Sequence, residues 1–360
     1  MSLKKIAELT GSSVSTVSRV LNNPNYVGNN REVAEKIWKT AKELNYIPNA
    51  SARNLRKGNI IKEDLFKVDI FLTRFNSLEE DAFFKELFLH VREELLRNNC
   101  LLGDFLNPAD AMELIGKEIT DAEIIPYKSS SRVKKEKDKN KLAYIEEKEN
   151  TGLIVLGKCP RELIPVLKKR YAYISGIDRN PTNYEYDEVV CNGATAAEKA
   201  IEYLITLGHT NIAYIGDCTY EARYIGYYQS LINHKITLNH GNIHPTSQTR
   251  EEGFAVMNKI ILSKDRPTAV FCANDSTALG VLEALKKNKK RGYMPSVISI
   301  DNINESQHTS PMLTTIDIPK KEMAHLALNL LIDRKNKLHT ENVRMELPSR
   351  LLIRESCGYV

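Results

Sequence analysis

Six short apolar runs alternate with longer amphipathic segments from residue 66 onward. The runs have the length and branched-residue content of buried strands: KVDIFL (67–72), GLIVLG (152–157), AYISGI (172–177), NIAYIG (211–216), AVFCAND (269–275) and SVISID (296–301). The predicted helices between them include 82–97, 194–207, 277–287 and 320–334. Strand–helix alternation predicts parallel sheets covered by helices on both faces. The length favours two doubly wound sheets, with a ligand cleft near the carboxyl ends of the strands.

Three short helices are predicted before these strands. Ser2 can cap the first, over 3–9, and a turn that contains glycine follows it. Ser13 is the natural N-cap of the second, over 14–21, and the third covers about 31–44. Two short helices joined by such a turn are typical of a helix-turn-helix, and the third can close a small core.

Positive charge is concentrated in the same part of the chain. Residues 1–58 contain ten basic and four acidic residues, a net charge of +6. The rest of the chain contains 41 basic and 42 acidic residues, a net charge of −1. This distribution predicts a polyanionic partner for the N-terminal segment.

The second predicted helix carries short hydroxyl side chains on its outer face. In a helix-turn-helix this helix enters the major groove, where Ser15 and Thr16 permit close approach and can donate to phosphates or base edges. Val14 can contact a thymine methyl, and Arg19 can pair with guanine, which discriminates by ~1–3 kcal/mol. The alternative is an ordinary surface helix that is rich in serine.

Two segments, SLKKIAELTGSSVSTVSRVLNN and ELNYIPNASARNLRKG, strongly resemble the headpiece of the LacI/GalR family of bacterial transcriptional repressors. The resemblance implies base-reading positions at Val14, Ser15 and Arg19, and phosphate contacts at Ser2 and Asn22. It divides the chain into a DNA-binding headpiece (1–47), a hinge helix (48–58) and an effector-binding and dimerisation core of two lobes (66–360).

The hinge segment is short and polar, so it has too little apolar surface to fold alone. The resemblance implies that it orders on DNA, with Leu55 as a wedge in the minor groove. Such a wedge kinks the duplex at a cost of a few kcal/mol. Ala52 permits close approach, and Arg56 with its basic neighbours can meet phosphates. The alternative is a basic linker.

The family resemblance continues through IEYLITLGHTNIAYIGD and FCANDSTALGVLEAL, which look like a core similar to periplasmic sugar-binding proteins. The implied effector contacts are Phe84, Asp178, Arg223, Asn274 and Asp301. A guanidinium, carboxylate acceptors and an aromatic ring suit a neutral sugar. Two alternatives stay open: Phe84 belongs to the hydrophobic core, and Asp275 only caps the following helix.

Some positions depart from the family pattern and leave the effector's identity open. Gln248 or a neighbour stands where an aromatic platform is usual, and Cys191 and Asn302 stand where Asp is common. The basic run within 127–150 is expected to be a solvated helix rather than a second DNA contact.

The resemblance therefore implies a sequence-specific repressor of carbohydrate genes that is controlled by a small sugar, and the headpiece loop length, similar to that of repressors of some β-galactosidase operons, favours a galactoside. The partners are double-stranded operator DNA and a second copy of the chain, because dimers read near-palindromic operators. Alternative effectors are a purine or a partner phosphoprotein. A sugar-metabolising enzyme with a DNA tether is the alternative from another class.

Other features separate these classes. The sequence shows no Gly-rich phosphate loop, no metal-spaced His/Cys cluster and no nucleophile elbow, so no cofactor, metal or catalytic residue is predicted. The six cysteines are scattered, which suits free thiols in a reducing cytoplasm. No membrane segment or signal peptide is recognised, and a cytoplasmic location is expected.

Overall fold

The computed structural model describes residues 3–22, 33, 34, 36, 37, 40, 65–110, 150–180, 182, 184–219 and 221–360. The chain divides into two compact units, Met1–Leu65 and Phe66–Val360.

The first unit contains α1 (Leu3–Thr10) and α2 (Val14–Asn22). The turn between them depends on Gly11, whose φ of 66° favours glycine, and the amide of Ser12 donates to the carbonyl of Ala7 at 3.0 Å. Ser13 caps α2 as predicted, since its Oγ accepts from the amide of Thr16 at 3.1 Å. The turn and cap confirm the predicted helix–turn–helix.

A small apolar core holds these helices together. Ile6, Val17 and Val20 are buried against Ala34 and Ile37. The described residues between 33 and 40 are helical, in agreement with the predicted third helix over 31–44. Burial of one α2 face leaves the other face of that helix to solvent.

The second unit contains two lobes, each built on a six-stranded sheet. The sheet of lobe 1 has the order β11-β5-β4-β3-β1-β2, and all of its paired strands are parallel. Its strands are β1 (Lys67–Leu72), β2 (Leu101–Leu106), β3 (Thr151–Leu156), β4 (Tyr173–Asp178), β5 (Asp187–Val190) and β11 (Arg344–Glu346). Its helices are α3 (Ala82–Arg97), α4 (Ile164–Arg170) and α9 (Lys320–Lys335).

Both faces of this sheet are covered. Val68 and Ile70 of β1 belong to the cluster that includes α3 and α9, whereas Phe71 belongs to a separate cluster with α4. Alternate residues of a strand point to opposite faces, so an almost continuous apolar run is needed to fill both.

The sheet of lobe 2 has the order β12-β10-β9-β8-β6-β7, and only the β10–β12 pair is antiparallel among the described strands. Its strands are β6 (Ile212–Gly216), β7 (Ile243–Pro245), β8 (Ala269–Cys272), β9 (Ser296–Asp301), β10 (Thr314–Asp317) and β12 (Arg350–Leu352). Its helices are α5 (Gly193–Thr206), α6 (Ala222–Asn233), α7 (Arg250–Leu262) and α8 (Asp275–Lys287).

The described part of the chain passes between the lobes three times: after β5, between β10 and α9, and between β11 and β12. The carboxyl ends of β1, β3, β4, β6, β8 and β9 therefore face one cleft, which is where open α/β sheets place ligands. The predicted two-lobed α/β architecture is confirmed. In the described part of the chain, every helix is too short or too polar to span a bilayer.

Candidate DNA-reading helix and effector cleft

The outer face of α2 presents the residue types that the sequence predicts for contact with DNA. Val14 is 41% exposed although it is apolar, and Ser15 and Arg19 are exposed beside it. The hydroxyl of Ser13 lies 2.7 Å from that of Ser15 and 2.8 Å from that of Thr16. These short bonds hold the hydroxyl groups close to the backbone, so Arg19 is the longest described side chain on this face.

Several predicted DNA contacts cannot be placed in the same way. Ser2 and the hinge positions Ala52, Leu55 and Arg56 lie outside the described residues, as do most of the residues in 127–150. Asn22 ends α2. Four predicted DNA contacts therefore have described side chains on α2: Val14, Ser15, Thr16 and Arg19.

A cavity of about 240 Å³ lies in the cleft between the lobes. It is lined by side chains from the strand ends of both lobes: Thr73, Arg74, Phe84, Gly157, Lys158, Asp178, Arg179, Asn180, Asp217, Thr219, Glu221 and Arg223. The loop after β3 requires Gly157, whose φ is 95°, since a Cβ there would lie 2.5 Å from Thr73 Oγ1. The cavity is polar and small, and Phe84 supplies its aromatic ring.

Arg223 lies on the first turn of α6 and is 1% exposed. Its Nε donates to Glu221 Oε1 at 2.8 Å, Nη1 to the carbonyl of Ala273 at 2.7 Å, and Nη2 to Gln248 Oε1 at 2.9 Å. The guanidinium is therefore fixed by the protein itself, and its orientation does not depend on a ligand. The structure places this predicted effector contact in the cavity wall.

Asp178 and Phe84 also line the cavity. Asp178 is the last residue of β4, and its Oδ2 is buried without a hydrogen-bond partner among the described residues. Phe84 is 3% exposed and packs edge-on against Phe83 at 5.4 Å between ring centroids. Phe84 thus belongs both to the core and to the cavity wall, so the two alternatives for this residue are not exclusive.

Asn274 and Asp301 lie behind the cavity wall rather than on it. Asn274 Nδ2 donates to the carbonyl of Gln248 at 3.0 Å, and Asn274 Oδ1 accepts from the amide of Thr277 at 3.0 Å. Asp301 is 2% exposed and forms an ion pair with Arg179 across the two lobes. Both side chains therefore hold neighbouring cleft residues, Gln248 and Arg179, without lining the cavity themselves.

The helix-cap alternative for Asp275 is wrong, because Asn274 caps α8. Asp275 is the first helical residue and is fully buried. It accepts hydrogen bonds from Thr315 Oγ1 at 2.6 Å and the amide of Ile303 at 2.9 Å. Both partners are distant in sequence, one on β10 and one in the loop after β9, so local spacing could not identify them.

Several cleft residues, Lys158 and Asp217 among them, were not predicted as effector contacts. Arg74, Arg179 and Glu221 line the cavity, and Gln248, noted only as a departure, joins two of its cations. Gln248 Oε1 accepts from Arg74 Nη1 at 3.1 Å and from Arg223 Nη2 at 2.9 Å. The available signal for Arg74 and Arg179 was their position just after predicted strands, whereas Gln248 follows β7, which was not predicted.

Burial and neighbouring charge set the ionisation of the cleft. Burial raises the pKa of Asp178 to about 6, although Arg179 opposes the shift. Burial also disfavours the charge on Glu221, but the Arg223 guanidinium outweighs it and lowers the pKa of Glu221 to about 2. The pKa of Arg74 is lowered by burial and then by the charges of Arg223 and Arg179. Three guanidinium groups therefore crowd one end of the cleft.

The backbone of the cleft is strained at non-glycine residues. Gln248, Asp301 and Asn302 have φ values of 68°, 127° and 47°. Such conformations cost about 1–3 kcal/mol each and concentrate at functional sites. Their position at one cleft agrees with a binding role for it.

A larger cavity of about 550 Å³ lies at the far end of lobe 2. His209 lines it, and the ring nitrogens of His209 lie 2.9 Å from Thr268 Oγ1 and 2.9 Å from Ser296 Oγ. The polar groups there are satisfied within the protein, whereas the interlobe cleft leaves Asp178 Oδ2 unpartnered. The interlobe cleft is therefore the stronger candidate.

Comparison with known proteins agrees with both parts of this description. Residues 2–49 match the model of bacterial regulatory proteins of the lacI family, and residues 201–357 match a periplasmic-binding-protein-like domain. An HTH-type transcriptional repressor PurR from Histophilus somni (strain 2336) is 30% identical over 363 residues, which cover 98% of each chain. The chain belongs to the LacI family. It is a DNA-binding transcriptional repressor of that family.

Other relatives and solved structures extend the comparison. A probable HTH-type transcriptional repressor ExuR from Bacillus subtilis (strain 168) is 27% identical and covers 99% of this chain and 98% of its own. A transcriptional regulator CelR–cellobiose complex has a TM-score of 0.66 at 21% identity, over 99% of this chain and 100% of that one. The lac repressor dimer bound to operator has a TM-score of 0.61 at 20% identity, over 99% and 98%. These structures share the fold of the LacI family.

Proposed function

We propose that this LacI-family repressor binds a near-palindromic operator of carbohydrate-utilisation genes as a dimer, and that a small sugar in the interlobe cleft controls the binding. The observation that carries the proposal is the fixed, buried Arg223 at a polar cavity beside an unpartnered Asp178 carboxylate oxygen. A built cavity of this kind needs a hydroxylated ligand to complete it.

The DNA part of the proposal rests on the outer face of α2. Val14 and Arg19 are exposed on a helix whose opposite face is buried, so the apolar group and the guanidinium are available together. A thymine methyl and a guanine edge are the natural partners of these two groups. The excess positive charge of residues 1–58 supplies attraction for phosphates.

The dimer part is supported by an apolar face on α6. Ile225, Tyr228 and Ile232 are spaced by three and four residues, and they are 57%, 43% and 49% exposed. Side chains at this spacing share one side of a helix. A contiguous exposed apolar face is typical of a surface that another chain covers, and in a dimer two headpieces can read two half-sites.

The effector part is supported by the size and polarity of the cavity. Its volume of about 240 Å³ is smaller than the roughly 300–1,000 Å³ of pockets that take drug-sized ligands, which suits a single sugar ring. A purine effector calls for stacking on aromatic faces, and Phe84 is the aromatic residue among the described residues that line the cavity. The proposal therefore favours a monosaccharide. A galactose ring is the first probe, as the headpiece loop length suggests.

Selection of binding sites from random duplex DNA tests the operator claim. We expect a near-palindromic consensus, bound by the purified chain with an affinity that falls steeply as salt rises from about 50 to 200 mM. Arg19→Ala should cost about 1–3 kcal/mol and relax specificity at one base pair of each half-site. Arg92→Ala, on the lobe-1 helix α3, is the matched control. Equal affinity for every duplex would contradict the proposal.

Sedimentation of two variants tests the dimer. Ile225→Asp places a charge on the exposed α6 face and should shift the protein towards monomer, with weaker operator binding. Ile353→Asp makes the same change at a residue that is 62% exposed outside this face, and should leave the dimer intact. A dimer that tolerates both substitutions would place the interface elsewhere.

A further inference from the structure

Two of the three guanidinium groups in the interlobe cleft form ion pairs with carboxylates. Arg179 pairs with Asp301, and Arg223 pairs with Glu221 at 2.8 Å. Arg74, the third, has neutral oxygens as its hydrogen-bond acceptors: Gln248 Oε1 at 3.1 Å and the carbonyl of Ser247 at 2.6 Å.

Lys158 adds a further cation to the wall of the same cavity. It is exposed, and no carboxylate of the described residues lies within ion-pair distance of Lys158 or of Arg74. Arg74 is exposed as well. Lobe 1 therefore presents two accessible cations at the cavity wall, and both can pair with a bound anion.

Two buried polar atoms in the cleft region have no hydrogen-bond partner among the described residues, and they lie in opposite lobes. Asp178 Oδ2 in lobe 1 is an acceptor, and Gln248 Nε2 in lobe 2 is a donor. Gln248 is 4% exposed, so bulk water does not satisfy its amide. Asp178 lines the cavity, so a sugar hydroxyl bound there can donate to its carboxylate.

We propose that the effector is a monosaccharide bearing one anionic group, a carboxylate or a phosphate, that meets Arg74 and Lys158 while a ring hydroxyl donates to Asp178. The inference rests on the effector-controlled repressor proposed above and names the class of ligand that the cleft takes. The guanidinium of Arg74 offers a planar pair of donors that matches either oxyanion. A neutral sugar would leave this charge unpaired.

Ligand titration of the full chain by calorimetry tests the proposal. The probes are galactose, galacturonate and galactose 6-phosphate, with the same three forms of glucose, so that each set changes only the group at C6. We expect an anionic member of one set to bind at least about tenfold more tightly than its neutral parent. The better of the two anionic forms then identifies carboxylate or phosphate as the source. A neutral parent that binds as tightly as its anionic forms, or a panel in which no anionic sugar binds, would overturn the assignment.

Variants of Arg74 show whether this residue supplies the preference. Arg74→Gln should reduce the preference for the anionic form to less than about threefold, and Arg74→Lys should keep part of it because the charge remains. Arg250→Gln removes a paired arginine outside the cavity and should leave the preference unchanged. A preference that survives Arg74→Gln in a chain with native circular dichroism would contradict the role of Arg74.

Operator binding distinguishes an incorrect ligand class from an incorrect proposed function. Operator binding by the unliganded wild-type chain is measured in parallel. Intact operator binding without any response to anionic sugars would refute the ligand class alone. Loss of sequence-specific operator binding would refute the function on which the inference rests.

Discussion

The buried Arg223–Glu221 pair predicts a large cost for the substitution Glu221→Gln. The side chains of Arg223 and Glu221 are 1% and 7% exposed, and Nε lies 2.8 Å from Oε1. Glutamine keeps the shape and removes the charge. Arg223 would then be buried with neutral acceptors only, the carbonyl of Ala273 and the side chain of Gln248.

Two independent arguments give the magnitude. Breaking a buried ion pair by removing one partner costs about 3–5 kcal/mol. The pKa of Glu221 falls from 4.5 to about 2, since the Arg223 charge outweighs the effect of burial. At 1.36 kcal/mol per pKa unit this corresponds to about 3 kcal/mol. We therefore expect Glu221→Gln to lower the free energy of unfolding by about 3 kcal/mol at neutral pH.

Urea unfolding followed by circular dichroism measures this cost, with Glu283→Gln as the matched control. The Arg250–Glu283 pair has the same chemistry, but its side chains are 40% and 47% exposed, so the control should cost no more than about 1 kcal/mol. Glu221 has a lowered pKa, and its contribution is complete above about pH 4.5 and is lost as the pH falls towards about 2. The gap between wild type and variant should therefore narrow in acid. Equal costs for the two variants at neutral pH would refute the reasoning.

Two further predictions concern packing and ionisation. Gly226→Ala should lower the melting temperature, because its Cβ would lie 2.1 Å from the carbonyl oxygen of Ala194 and force α6 away from α5. Gly358→Ala is the control, since its Cβ would meet nothing within 4 Å, and it should have little effect. Equal melting temperatures for the two variants would contradict this packing. Burial raises the pKa of Asp178 to about 6, so wild type should lose stability relative to Asp178→Asn as the pH rises from about 4 to above 6. Thermal unfolding across this range checks the sign, and a gap that does not change with pH would contradict it.

The strands and helices with strong patterns were predictable from the sequence. All six predicted strands are present, and β1 and β9 have the predicted bounds. Strands β2, β5, β7, β10, β11 and β12 were not predicted from the sequence. Strand β2 has the segment LLGDFL, in which only Leu106 is buried, so its pattern does not indicate a core strand. Strands β7, β11 and β12 have three residues each and pair at or near sheet edges, where neighbours rather than periodicity decide the conformation.

The position of the cleft was predictable from the sequence, but the hydrogen bonds and ion pairs among its residues were not. Asp178, at the end of β4, and Arg223, on the first turn of α6, line one cavity, and the family resemblance had indicated both residues. Sequence spacing carries no information on which distant groups satisfy a side chain. Asn274 caps α8 and donates to the carbonyl of Gln248, and Asp301 forms an ion pair with Arg179 across the two lobes. Such contacts depend on how the two sheets meet.

The dependence of operator affinity on cleft occupancy tests the central claim most directly. The labelled operator DNA would come from the region upstream of the gene that encodes this chain. Fluorescence titration would be run without ligand and with lactose, allolactose, galactose and the anionic sugars. The account predicts tight, salt-dependent binding that one sugar changes at least about tenfold, and loss of that response in Arg223→Ala. Operator binding that no sugar changes would contradict control through the interlobe cleft.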